Sequence, residues 1–175
     1  MGKAKTRLAT TLGKEKAFEI YLKLLSHTRE VALATLAERN LFYSDFIDTE
    51  DDWNNKSFIK HLQEQNTDLG KKMFSAFLLL KSLGKKKVVI IGSDCLELTA
   101  DVSNSAFKLL EEKDAIIGPA KDGGYYSIGF NFEKLGEKVL KQVFLNKKWS
   151  HSNVFLEAKN SFKANEVSYA LLPTL

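Results

Sequence analysis

The chain has 175 residues, 44% of them hydrophobic and 27% charged, with a formal net charge of +4. These are ordinary values for one globular domain, 1–175, that buries its core without staples. One cysteine, Cys95, excludes an internal disulfide framework and fits a reducing cytosol, and no apolar run reaches the length of a membrane span.

The N-terminus, MGKAKTRLATTLG, is basic but lacks the apolar stretch of a secretory signal. Ala17, Ile20, Tyr21, Leu24, Leu25, Thr28 and Ala32 recur at helical spacing and predict an amphipathic helix over 14–37. NLFYSDF at 40–46 reads as a strand, and the acidic, polar TEDDWNNKS after it as an exposed loop. A short helix is expected over 58–63. Asp68 is placed to cap the next helix, with Leu69, Met73, Ala76, Phe77 and Leu80 inward and Gly84 at its end.

Lys85, Lys86 and Lys87 form the one basic run, read as a solvated loop; no basic stripe interleaved with aromatics points to nucleic acid. The mild positive excess favours small anionic substrates. VVIIG at 88–92 is then expected as a strand buried on both faces. Thr99 caps a helix carrying Val102, Ala106, Leu109 and Leu110 inward, and AIIG and YYSIGF flank a glycine-rich turn as two more strands. Further on, 132–136 reads as a short helix, 139–144 as strand or helix, 153–161 as helix and 167–172 as a terminal strand. This alternation indicates a three-layer α/β/α domain.

Two apolar runs in that pattern stop at carboxylates, Asp94 in GSDC and Asp122 in KDGG. Open α/β sheets place ligands outside the carboxyl ends of their strands, and two acids there could hold one hard divalent cation. The competing readings are a helix cap for Asp94 and a plain Asp-Gly turn for Asp122. Gly123 and Gly124 also allow a ligand close to the backbone. Lys3, Lys5, Thr6 and Arg7 sit in a basic loop before a helix, a pattern that suits phosphate, although no Walker A sequence is present. QNTDLG, from Gln65 to Gly70, is a polar loop able to hold a base or ribose, unless Asp68 capping accounts for it. His27, His61 and His151 have no ligand spacing, so no zinc site is expected. Cys95 reads as an inert small residue, and Trp149 as packing or as a ring that stacks on a base.

KTRLA before a long helix, QNTDLGKKM, IGSDC and GPAKDGGYYSIG occur in an order that resembles a bacterial glycosyltransferase-A-like family. Its members are called radical-SAM/selenodomain-associated transferases. The family is similar to the nucleotidyltransferases of molybdenum guanine dinucleotide and deazaflavin cofactor synthesis. The resemblance implies a Rossmann-like GT-A fold with a mixed sheet and a glycosyl- or nucleotidyltransferase using a nucleotide-sugar or nucleoside triphosphate with Mg²⁺ or Mn²⁺. Lys5, Thr6 and Arg7 would grip phosphates, Gln65 and Gly70 would lie near the base, and Asp94 and Asp122 would serve as metal-binding and catalytic acids beside Gly123 and Gly124. The acceptor is an unspecified small molecule, with no nucleic-acid or membrane partner and with homo-oligomerisation open.

Three departures from the family pattern accompany the resemblance. The usual apolar first strand and Pro-Gly turn before KTRLA are not seen, an Asp-rich closing segment is absent, and Leu96 stands where proline is common. The alternative expectation is therefore a non-catalytic nucleotide-binding protein or an inactive remnant.

Overall fold

Helix α1, Lys14–Ala34, sets its apolar spacing against the sheet: Ala17, Leu24, Thr28 and Val31 are buried. Its last turn is closed by the buried Thr35 hydroxyl, which donates to the Val31 carbonyl at 2.8 Å. This is a computed structural model, and it describes residues 10, 11 and 13–175.

Strand β1, Asn40–Tyr43, is shorter than expected and pairs in parallel with β2, Ile59–Leu62, from Asn40 opposite Ile59 to Tyr43 opposite Leu62. The helix expected over 58–63 is thus corrected to a strand. The segment is too short to sustain a helix alone, and its backbone groups are satisfied by β1 instead. Between the two strands, loop 44–58 is pinned from within. The Lys60 ammonium donates to Asp51 Oδ1 at 2.7 Å and to the Asp48 carbonyl at 2.6 Å, and the Tyr43 hydroxyl donates to Asp51 Oδ2. The Lys60 side chain is only 6% exposed, so this ion pair is largely withdrawn from water.

Helix α2, Leu69–Ser82, is capped as expected: Asp68 Oδ1 accepts from the Lys71 N–H at 2.9 Å. Ala76, Phe77 and Leu80 face inward, whereas Leu69 is exposed. The helix crosses to β3, Lys87–Ile91. That strand is not a parallel strand buried on both faces. It pairs antiparallel with β5, Tyr125–Asn131, stands at the edge of a four-stranded sheet, and buries fully only Val88. Between them in sequence lie α3, Ala100–Glu112, capped by Thr99, and β4, Ala115–Pro119, which with β5 forms the two strands expected around the glycine-rich turn, here a hairpin. The 132–136 segment makes a turn rather than a helix. Helices α4, Glu137–Phe144, and α5, Val154–Ala164, and strand β6, Tyr169–Leu171, complete the described elements.

The order β3-β5-β4-β6, with β6 parallel and β5 antiparallel to β4, makes a mixed sheet. One face carries Val31, Leu98, Ala106, Leu110, Ile116 and Leu172 beneath α1 and α3. The other packs Phe77, Phe130, Phe144 and Phe162, all 0% exposed, under α2, α4 and α5. Three layers result, as the alternation of elements predicts.

Candidate functional site

The carboxyl end of β3 runs into Gly92, whose N–H donates to the Tyr126 carbonyl at 2.8 Å, and then into Ser93 and Asp94. Asp94 Oδ1 would lie 3.1 Å from a Cβ at Gly92, so the carboxylate folds back over the strand end. Thr99 Oγ1 accepts from the Val102 N–H at 3.3 Å and caps α3, which leaves Asp94 outside the cap. Leu98, 2% exposed, anchors the intervening loop, and the His27 ring Nε2 meets its carbonyl oxygen at 2.8 Å.

Asp122 lies in the β4–β5 turn, and its Oδ1 accepts from the Gly124 N–H at 2.9 Å. One of its two carboxylate oxygens is therefore engaged in shaping its own turn. Gly123 has φ 88°, and a Cβ there would stand 1.9 Å from the Ser152 carbonyl oxygen. The Phe155 N–H donates to the Gly123 carbonyl at 3.0 Å, so the start of α5 is fastened to this turn. Across the rim, Lys121 pairs with Glu97 at 3.1 Å. Both side chains are well exposed, and such a pair orients loops more than it stabilises them.

Asp94, Asp122 and Gly124 line one cavity of about 2040 Å³, together with Ser93, Tyr125, Trp149 and His151. Both carboxylates are exposed. Gln65 and Gly70 are not among the lining residues. The Gln65 Nε2 donates to the Ser44 and Gln63 carbonyls at 2.7 and 3.0 Å. A Cβ at Gly70 would fall 2.1 Å from the Phe144 carbonyl oxygen and 2.5 Å from Trp149 Nε1. Gly123, filled by Ser152, is likewise off the lining, so close packing against loop 145–153 explains why both positions are glycine. Lys3, Lys5, Thr6 and Arg7 lie outside the described residues.

Sequence reasoning missed several other residues that line this cavity. Tyr125, Trp149 and His151 come together there because loop 145–153 folds over the α2 N-terminus. The only local signal was the tryptophan, which stacks on Phe144 with ring centroids 6.4 Å apart. The Tyr125 hydroxyl, Ser127 Oγ and Trp149 Nε1 are buried without a hydrogen-bond partner, and burial pushes the Tyr125 hydroxyl upward so that it stays protonated. His151 is held within its loop: Nδ1 accepts from the Asn153 N–H at 3.2 Å, and Nε2 sits 3.0 Å from the Lys148 carbonyl oxygen.

Among the described residues, no group of three or more His, Cys, Asp or Glu side chains is placed to hold a metal ion. Asp94 and Asp122 are oxygen donors of the kind that bind magnesium, an ion that keeps several waters and is commonly held by one or two carboxylates plus substrate phosphates.

The chain is similar to a crystal structure described as a putative nucleotide-diphospho-sugar transferase from Desulfovibrio desulfuricans. The TM-score is 0.85 at 28% sequence identity, and the match covers 99% of this chain and 74% of that one. No curated protein matches the chain. The three layers and mixed sheet are thus those of the GT-A, nucleotide-diphospho-sugar transferase fold. A family model matches residues 27–151, and the chain belongs to that family, the uncharacterized proteins conserved in bacteria designated DUF2064.

Proposed function

We propose that the chain is a metal-dependent transferase of the GT-A class, taking a nucleotide-sugar or nucleoside triphosphate as donor and a small molecule as acceptor. The observation that carries this reading is the convergence of Asp94, at the carboxyl end of β3, and Asp122, in the β4–β5 turn, on one large cavity. Within that class the motifs favour the radical-SAM/selenodomain-associated transferases and kinship with the molybdenum- and deazaflavin-cofactor nucleotidyltransferases.

Asp94 and Asp122 would hold Mg²⁺ or Mn²⁺, which when bound neutralises charge on the donor phosphates and on the departing group. Gly92 gives Asp94 room to fold back, and the Gly124 N–H fixes the rotamer of Asp122. Lys5, Thr6 and Arg7 supply phosphate-binding chemistry in the sequence. Gln65 and Gly70 would act through the loop that approaches the base. The unpaired Tyr125 hydroxyl and Trp149 N–H offer donors behind the cavity wall. A second reading is nucleotide binding without catalysis.

The test is a thermal-shift panel of nucleoside triphosphates and nucleotide-sugars, each with and without Mg²⁺ or Mn²⁺. A ligand at about 100 times its Kd stabilises by about 2.7 kcal/mol, a rise of roughly 5–10 °C for a domain of this size. Asp94→Asn is expected to abolish the metal-dependent part of that rise. A variant that keeps the full metal-dependent shift would sink the assignment of Asp94. Binding with no turnover of any donor, even with acceptor mixtures, would favour the second reading.

A further inference from the structure

Asp94 and Asp122 stand on separate pieces of backbone, so their spacing depends on what joins those pieces. Past Gly92 the chain leaves the β3–β5 ladder and runs through Asp94, Cys95 and Glu97 to the cap of α3. Asp122 lies beyond β4, after the register of the β4–β5 ladder has shifted between Gly118 and Pro119. A side-chain contact crosses from the first piece to the second. The Lys121 ammonium donates to Glu97 Oε1 at 3.1 Å and to Oε2 at 3.3 Å, and both residues line the cavity.

Each end of that contact is mounted on anchored backbone. Beside Glu97, Leu98 is 2% exposed and its carbonyl oxygen meets His27 Nε2 of α1 at 2.8 Å. Beside Lys121, the Ala120 N–H donates to the Gly124 carbonyl and the Gly123 N–H to the Ala120 carbonyl, both at 3.0 Å. The Lys121 N–H donates to the Leu175 carbonyl at 2.9 Å, which ties the turn to the segment after β6. An exposed ion pair adds little to stability, because ordering two long side chains offsets most of their attraction. What this pair sets is geometry: it limits how far the Asp94 loop and the Asp122 turn separate. It also puts a positive charge on a rim that carries three carboxylates, Asp94, Glu97 and Asp122, whose mutual repulsion favours separation.

We infer that Lys121 and Glu97 are positioning residues: their ion pair clasps the Asp94 loop to the Asp122 turn and sets the spacing of the two carboxylates. The inference rests on the proposed donor reading only for the use made of that spacing, the binding of metal and phosphate. The clasp itself is closed without any ligand. Both side chains are well exposed, so breaking the pair shifts the loop toward its open form by about two- to fivefold, the scale of a surface ion pair. A contact this weak can hold the site in register and still yield when a substrate enters.

The chain carries its own probe. Cys95, its single cysteine, adjoins Asp94 and is half-buried against the α1–α3 side of the sheet, so its rate of modification by a neutral maleimide reports opening of the loop. The full chain is used without metal or nucleotide. Lys121→Gln and Glu97→Gln are each expected to raise the rate about two- to fivefold. The charge-exchanged double variant, Lys121→Glu with Glu97→Lys, is expected to restore the original rate. A change in local field alone would move the two single variants in opposite directions, and that result would overturn the inference. So would unchanged rates, or a double variant as fast as the singles. Mn²⁺ affinity, read by electron paramagnetic resonance on the same proteins, should weaken in both single variants and recover in the double. Mn²⁺ binding that Asp94→Asn abolishes but the rim variants leave unchanged refutes the positioning role. Maleimide rates that follow the expected pattern in a chain that binds no Mn²⁺ keep the clasp and refute the metal-dependent reading alone.

Discussion

The two sheets are held together by different physics. Beyond β3, Phe130 is packed among Phe77, Phe144 and Phe162, with ring centroids 5.0, 5.9 and 6.0 Å away. Before β3, β1 and β2 form a two-stranded sheet whose connecting loop is fixed by the Lys60–Asp51–Tyr43 cluster. An isolated pair of strands is marginal in water, and the smaller region has a few apolar contacts, Phe42 against the main core and Phe58 against Trp53, beside a desolvated ion pair, where the larger has a dry aromatic core. The comparison shows that stability is concentrated behind the candidate site, while one rim of the cavity is locally held and open to local loss.

The largest effect should come from the aromatic side. Phe130→Ala is expected to cost about 3–5 kcal/mol through lost burial and the cavity left behind, lowering Tm by roughly 10 °C in one cooperative transition. A smaller loss in the urea midpoint would mean that the phenyl cluster relaxes around the space. Asp51→Ala should cost about 3 kcal/mol, because it leaves the Lys60 ammonium buried with only the Asp48 carbonyl and the Tyr43 ring for company. That loss should appear first as faster amide exchange in loop 44–58 and β2, with β4 and β5 unchanged. Global unfolding with uniform exchange would erase the distinction between the two regions.

Acid should attack the same region. Burial pushes the Asp51 carboxyl upward, but bonds from Lys60, Tyr43 and the Trp53 N–H outweigh it, so the net shift is downward. A carboxyl lowered in the folded state contributes stability that is fully present above its unfolded value, about 4, and is lost as pH falls through the folded value. Urea midpoints measured from about pH 6 down to 2.5 should therefore drop below about pH 4, and Asp51→Asn should flatten that limb. The smallest expected effects are at the helix caps. Asp68→Ala should cost about 1 kcal/mol, and Thr99→Ala less, since its bond is 3.3 Å long against 2.9 Å.

What the sequence made legible is what is local. The α1 stripe, the caps at Asp68 and Thr99 and the KDGG turn each depend on neighbours within a few residues, and each is found where its spacing predicts. Strand β2 was not legible, because IKHL becomes a strand only through pairing with a segment 19 residues earlier in register. The role of VVIIG was misjudged for the same reason: an apolar run records burial, not which strand lies beside it or in which direction. At the candidate site, Asp94 and Asp122 were visible as acids ending apolar runs. The Tyr125–Trp149–His151 wall was not, since it depends on a loop folding back from the far side of α4. The glycines were visible and their reason was not, because the atoms excluding a side chain at Gly70 and Gly123 belong to Phe144, Trp149 and Ser152.

The contact at Gly123 has a consequence for heredity. Every other amino acid brings a Cβ, and here that atom would overlap a main-chain carbonyl that no rotamer change can move aside. A gene drifting under selection for this fold can therefore change codon 123 only silently, unless the Ser152 segment shifts in step. Saturation of that codon should return glycine almost alone, while codon 136, where a Cβ meets nothing within 4 Å, should accept many residues.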